Sequence, residues 1–212
     1  FAAIVPTKDV TDNPNLAFEV NVNGTKKLLN KLSTYKKTPW LFYASSSHVY
    51  TSSSSPIKES HPTVPMNEYG KTKLAGEQVL IEGEKRFSGL ICIGRIFSFY
   101  HETQDPSFLY PAIKKRLINH DLNKTFELFG ANNLRDFLNA EEVIECITRL
   151  MKVNAEGIIN IGSGKGISIE NFIKEKFNEP ELIIKNMTPG ERNILVANIS
   201  RYEGKIQGEF FD

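Results

Sequence analysis

Trp40-Leu41-Phe42-Tyr43-Ala44 runs straight into Ser45-Ser46-Ser47-His48-Val49-Tyr50. A short apolar and aromatic run that ends in three serines predicts a buried strand opening into a polar loop. Sites in open parallel α/β sheets lie just beyond the carboxyl ends of strands, so this reading puts Ser46 at such an end. Upstream, Asn13-Pro14 starts a helix, with Asn13 as cap and Pro14 at its first position, that carries Leu16, Val20, Leu28, Leu29 and Leu32. Downstream, Gly89-Leu90-Ile91-Cys92-Ile93-Gly94-Arg95 is a second continuous apolar strand. Helix, strand, serine loop, helix and strand in succession describe the crossover of a parallel sheet, and hence an α/β fold.

Between the two strands stands Tyr69-Gly70-Lys71-Thr72-Lys73. A tyrosine and a lysine four apart lie on one helix face, one turn above the other, so their tips can meet. A free phenol titrates near ~10 and a free lysine near ~10.4. An ammonium beside the phenol favours the phenolate, which is expected to lower the Tyr69 pKa towards operating pH and make it a general acid/base. A hydroxyl from the strand end, Ser46, can hold the same substrate oxygen. A lone Tyr-x-x-x-Lys is a weak signal, because both residues are common on helices. The strand and serine loop in front of it strengthen the signal.

Together these motifs resemble the extended short-chain dehydrogenase/reductases, the NAD-dependent epimerase/dehydratase group that acts on nucleotide sugars. The likeness runs along nearly the whole chain. Phe1-Ala2-Ala3 is similar to the end of the family's fourth strand, which touches the cofactor. Val20-Asn21-Val22-Asn23-Gly24-Thr25 resembles its asparagine-x-x-glycine-threonine helix segment. Ser46, three residues before Val49-Tyr50, occupies the place of the catalytic Ser/Thr, and Tyr69 with Lys73 match the catalytic pair. Arg95-Ile96-Phe97-Ser98 is similar to the arginine-x-phenylalanine-asparagine stretch, which implies cofactor contact for Phe97 and substrate contact for Ser98. Leu134-Arg135-Asp136-Phe137 resembles the element whose arginine meets the substrate diphosphate, and Pro189-Gly190-Glu191-Arg192 the late arginine that also reaches the nucleotide. Asn160-Ile161-Gly162-Ser163-Gly164-Lys165-Gly166 matches an asparagine-x-glycine-x-glycine segment.

One departure matters. The family opens with a strand, a glycine-rich turn and a helix N-terminus that cradle the cofactor pyrophosphate, and nothing of that kind precedes Phe1. The chain is therefore expected to be N-terminally truncated, with the first βαβ part missing. Gly162 to Gly166 follows an apolar strand and precedes a helix from Ser168, yet no βαβ unit with an acidic residue ~20 positions on comes after it. It reads as a tight turn near the substrate instead.

Composition narrows the remaining classes. Apolar residues make up 40% and charged residues 24% of the 212, ordinary globular material with core enough for one large domain or two small ones. Net charge +1 gives no reason to expect nucleic acid or a membrane surface, and no run approaches the ~20 apolar residues of a bilayer span. Cys92 in a strand and Cys146 in an amphipathic helix read as small core residues of a reducing, cytoplasmic compartment, without the partners of a metal site.

Residues 1–98 are expected to be the C-terminal part of an NAD(P)-binding, Rossmann-like, doubly wound parallel sheet. Residues 99–212 are expected to form a small C-terminal α/β substrate-binding region interleaved with that sheet. Within it, helices are expected at Pro111–Ile118, at Ala140–Met151 with Val143, Ile144, Ile147, Leu150 and Met151 on one stripe, and after the cap Ser168. Strands are expected at Phe126–Phe129 and Leu182–Ile184.

The resemblance implies hydride transfer between NAD or NADP and C4 of a nucleotide-linked hexose. Tyr69 moves the proton, Lys73 tunes it and holds the nicotinamide ribose, and Ser46 places the sugar oxygen. Ser45 and Ser47 read as caps for loop amides. His48 is either a satisfied loop histidine or, as in some members, an extra acid/base. The family's dehydratases carry Asp-Glu where Ser47-His48 stand, which argues against a 4,6-dehydratase. Arg135 and Arg192 offer forked donors suited to a diphosphate. Asn21, set among the cofactor contacts by the resemblance, can equally satisfy buried backbone. The family often pairs through the helices carrying Asn21 and Tyr69, so a homodimer is expected there. The competing reading is a non-catalytic or inactive member that binds a nucleotide ligand or serves as a scaffold.

Overall fold

A computed structural model describes residues 3–188 and 190–207. Phe1 and Ala2, expected at the cofactor, lie outside the described residues, as does Pro189.

The first helical stretch is α1 (Thr7–Asp12), α2 (Pro14–Phe18), a π turn (Glu19–Asn23) and α3 (Gly24–Leu32). Asn13 caps α2 by accepting from the Leu16 amide, with Pro14 at the start where its missing N–H costs nothing. The serine-ended run forms β1 (Leu41–Ser46), and a 3₁₀ turn follows at Ser47–Val49. Next come α4 (Glu68–Gly83), β2 (Ile91–Ile96), β3 (Ser98–Tyr100) and α5 (Leu109–Leu117). The chain continues through β4 (Phe126–Leu128), β5 (Leu134–Arg135), β6 (Phe137–Asn139) and α6 (Ala140–Lys152). It ends in β7 (Gly157–Ile161), β8 (Ile167–Ser168), α7 (Ile169–Lys176), β9 (Ile184–Asn186), β10 (Ile194–Leu195) and α8 (Ser200–Ile206).

The main sheet is parallel, in the order β1-β2-β7, with Ser45 opposite Arg95 and Arg95 opposite Asn160. Its burial is nearly continuous along β2, as expected of a parallel strand covered on both faces. One face packs Leu29, Leu80, Phe87, Ile91 and Ile93 under α3 and α4. The other packs Cys92, Val143, Leu150, Ile159 and Ile161 under α6 and α8. Smaller pairings of the second half surround a separate core of Ile113, Phe126, Phe172, Ile173 and Leu182 beside α5 and α7.

Glycines set how closely α4 approaches its neighbours. A Cβ on Gly70 would stand 2.3 Å from the His48 carbonyl oxygen, and one on Gly76 would stand 2.0 Å from the Tyr43 hydroxyl. The helix therefore lies directly on β1 and its loop.

Two expectations shift. On α6, Ile144 is 61% and Met151 49% exposed, so the core-facing arc is Val143, Cys146, Ile147 and Leu150. Ile144 and Met151 are each one residue past a core position, about 100° round the helix, and turn out to solvent. The strand expected at Leu182–Ile184 begins at Ile184, because pairing with β4 runs from Ile184 to Asn186. Leu182 is buried as a loop residue instead.

Candidate active site

Asn67 caps α4, its side chain accepting from the Gly70 amide at 2.8 Å, and this fixes Tyr69 in the first turn. Lys73 follows one turn later, almost completely buried at 5% exposure. Its ammonium lies 5.6 Å from the Tyr69 ring centre and donates at 2.9 Å to the carbonyl of Ala44, the β1 residue just before the serines. The Ser46 hydroxyl stands close enough to the Tyr69 phenol to pull its pKa down. The His48 ring meets the Tyr69 ring edge-on, with centres 5.7 Å apart. Ser46, His48, Tyr69 and Lys73 thus converge at the carboxyl end of β1.

The expected lowering of the Tyr69 pKa is not what this geometry produces. Burial pushes the phenol up to about 12, with only the Ser46 hydroxyl pulling the other way. Lys73 spends its charge on the Ala44 carbonyl, and its own burial lowers it to about 8. Desolvation sets the outcome: burial dominates the Tyr69 shift, and Lys73 is not among the groups that lower it.

The serines divide their work differently from expectation. Ser46 itself accepts from the His48 amide at 3.2 Å and caps the 3₁₀ turn. Ser45 caps no amide but donates to the buried Glu77 carboxylate. His48 Nδ1 lies 3.0 Å from Asn67 Nδ2, an amide donor, so the ring proton belongs on Nε2. Burial first, and Arg135 second, hold the imidazole pKa below its ordinary value. His48 is therefore neutral near pH 7.

Arg135 is the group that electrostatically joins this cluster from the second half of the chain. Its guanidinium donates to the Leu134 and Asn193 carbonyls at 2.8 and 3.1 Å, and among the described residues it forms no ion pair. Burial lowers it to about 10. Next to it, Asp136 is wholly buried and accepts from the Ser163, Gly164 and Ala197 amides at 2.7, 2.9 and 3.1 Å. The Gly162–Gly166 segment is thus a turn tied down by a carboxylate, with Gly164 at φ +73°.

The remaining expected residues are spread out. Arg192 is exposed and its Nε donates to the Asn132 carbonyl at 2.6 Å. Ser98 begins β3 opposite Phe137. Phe97 is 3% exposed, packed with Val49, Tyr50 and Leu195. Asn21 uses its amide internally, accepting from the Ile4 amide at 2.8 Å and donating to the Ile4 carbonyl and the Thr72 hydroxyl at 2.9 and 3.1 Å. It thereby pins the segment beginning at Ala3 to α4.

Several residues around the site were not singled out from the sequence. Glu77 sits on the same α4 face as Tyr69 and Lys73, eight and four positions along, and that spacing is the signal that could have found it. Asn67 carried no such signal, while Tyr50 and Asn160 stood within quoted motifs without a role of their own. Among the described residues no group of three metal-ligating side chains gathers, and no helix is long and apolar enough to cross a membrane.

A parallel sheet with a tyrosine, a lysine and a serine meeting at one strand end defines a Rossmann-like short-chain dehydrogenase/reductase. The family described as GDP-mannose 4,6 dehydratase matches residues 1–206, and the chain belongs to it, among the nucleotide-sugar epimerases and dehydratases of the extended group. A putative UDP-glucose 4-epimerase of Methanocaldococcus jannaschii is 29% identical over 174 residues, covering 81% of this chain. The chain spans 56% of the length of that relative. The UDP-glucuronic acid 4-epimerase of Bacillus cereus, solved with UDP-glucuronic acid and NAD, is 25% identical with a TM-score of 0.82, covering 98% of this chain and 68% of its own. RMD from Pseudomonas aeruginosa, solved with NADPH, shares the fold at a TM-score of 0.83 and 22% identity, over 98% of this chain and 73% of its own.

Proposed function

We propose that this chain carries the proton-transfer and substrate-binding residues of an NAD(P)-dependent nucleotide-sugar epimerase or reductase, acting at C4 of a nucleotide-linked hexose. The observation behind this reading is the convergence of Tyr69, Lys73, Ser46 and His48 at the end of β1, facing an arginine that has no carboxylate partner among the described residues.

The cofactor, when bound, supplies the hydride acceptor and donor. The residues fit it on one point. Lys73 is buried and commits a donor to the Ala44 carbonyl, and its ammonium has three donors in all. The others are free for the ribose hydroxyls of NAD or NADP. Tyr69, protonated in this arrangement, gives its proton to the C4 oxygen when a ketone there is reduced, and in the reverse direction the phenolate takes the C4 hydroxyl proton as the hydride leaves. Ser46 holds the same oxygen, and neutral His48 offers Nε2–H across the ring from Asn67. Arg135 meets the diphosphate of the nucleotide, with Arg192 and Ser98 contributing from the rim. Relatives solved with UDP-glucuronic acid and NAD, and with NADPH, support both ligand classes.

The partner is a second copy of the chain, paired through the helices holding Asn21 and Tyr69. Leu16, Phe18, Leu28 and Ile81 on those helices are 42–52% exposed, an apolar surface suited to such a contact. A cytoplasmic setting accompanies this reading, with Cys92 and Cys146 both free.

NADH fluorescence on titration, followed by turnover of a panel of nucleotide sugars, tests the function. Binding with turnover that Tyr69→Phe abolishes is the expected result. Failure to bind NADH and NADPH, or full activity in Tyr69→Phe, refutes it. Sedimentation of wild type against Leu28→Lys tests the pairing, the variant being expected to run as a monomer.

A further inference from the structure

Tyr69, Lys73 and Glu77 are spaced by four along α4 and form one row. Each reaches the end of β1. Tyr69 meets Ser46, and Lys73 donates to the Ala44 carbonyl at 2.9 Å. Glu77 accepts from the Ser45 hydroxyl and binds Arg95 bidentately, Oε1 from Nε at 3.0 Å and Oε2 from Nη2 at 2.6 Å. Arg95 stands directly opposite Ser45 in the sheet. Its other nitrogen, Nη1, donates to the Tyr50 hydroxyl at 2.8 Å and to the Glu59 carbonyl at 3.2 Å. The Tyr50 hydroxyl donates to Asn160 Oδ1 at 2.8 Å, and Asn160 Nδ2 donates to the Ile57 carbonyl at 2.7 Å. Glu77, Arg95, Ser45, Tyr50 and Asn160 are all at most 3% exposed.

A buried ion pair roughly breaks even in stability against well-packed apolar residues, so its presence here calls for another explanation. What this one does is join three strands, a loop and the helix that carries the proton-transfer pair, at the level of the residue before Ser46.

We propose that Glu77, acting through Ser45 and Arg95, is a positioning residue that fixes the face of α4 against the carboxyl end of β1 and so sets the separation of Tyr69 from Ser46. This rests on the proposed role of Tyr69. The row works as a zipper. Its lower tooth, Glu77, is charge-locked and cannot slide, so the two upper teeth keep their height above the strand. Misplacement of reacting groups by about 1 Å can cost on the order of 10²-fold in rate.

The test replaces both charges together, Glu77→Met with Arg95→Met, so that neither is left buried alone. Thermal unfolding reports whether the double variant folds, and two further measurements are then made. In the first, ¹³Cζ-tyrosine NMR follows the Tyr69 phenol, its signal assigned by its loss in Tyr69→Phe. The expected result is a shifted resonance that titrates lower than in wild type, towards ordinary tyrosine. In the second, kcat falls roughly 10- to 100-fold with KM within about threefold. A folded double variant whose Tyr69 signal and titration match wild type overturns the inference, whether or not turnover is found. Should the double variant not fold, Ser45→Ala, which keeps the ion pair and cuts only its link to β1, is read by the same two measurements and the same criterion. Absence of turnover in wild type refutes the function proposed above, while the Tyr69 resonance still decides the role of Glu77.

Discussion

Tyr69 and Lys73 stand on a helix bonded to the end of β1 through Lys73 and Glu77, whereas Arg135 and Arg192 arrive from a two-residue strand and a loop. The first group is capped, buried and cross-linked through Asn67, Ser46 and Glu77. Among the described residues the second bonds backbone carbonyls and has no carboxylate partner. The contrast follows from what each part is proposed to do. Moving a proton requires fixed distances, so that half is finished in the folded chain. Holding a diphosphate requires unspent charge, so the other half is left for a ligand to complete.

The largest expected effect breaks the first half chemically. Tyr69→Phe lowers kcat by at least about 10²-fold while leaving thermal unfolding within a degree or two, since only a hydroxyl is lost. Steady-state kinetics and calorimetry check both.

Lys73 probes the same half through pH. Burial lowers its pKa from an ordinary 10.5 to about 8. Between those values the folded chain holds fewer protons than the unfolded chain, so stability rises with pH across that window and the full penalty applies below about 8. Lys73→Met is therefore expected to stabilise the fold by up to roughly 3 kcal/mol at pH 7. That gain should shrink towards pH 10.5, as measured by denaturant unfolding at a series of pH values.

Gly70→Ala drives a methyl to 2.3 Å from the His48 carbonyl. It is expected to cost about 1–3 kcal/mol and to lower kcat along with stability, because the first turn of α4 must lift off the loop. A change in neither would mean that the contact between α4 and this loop is slack.

The second half is expected to respond in binding alone. Arg135→Ala weakens the nucleotide sugar about tenfold or more, whereas the exposed Arg192→Ala changes it only a few-fold. Calorimetric titration of both variants sharpens the comparison. Equal losses would place the two arginines in one contact.

Much of this was legible in residue order. The cap Asn13, the strand before the serines, the Tyr/Lys pair and the helix after Ser168 all rest on local rules of capping, apolar continuity and helical spacing, and each occurs where those rules put it. The exceptions have one local cause and one distant one. Ile144 and Met151 fall one residue outside the buried arc, and the strand at Ile184 begins where its partner β4 begins.

The charge state of the site was not legible. Sequence spacing brings an amine near a phenol, but it carries no information about how much water either keeps. Only packing revealed that desolvation carries Tyr69 to about 12 and Lys73 to about 8. Nor could spacing within one helix disclose that Glu77 reaches Ser45 and Arg95, with Tyr50 and Asn160 beyond. Local order along this chain determined which elements form and which side chains share a face. The tertiary structure decided which of those side chains are stripped of water and which distant partners they find, because desolvation and long-range pairing depend on what the rest of the chain lays over them.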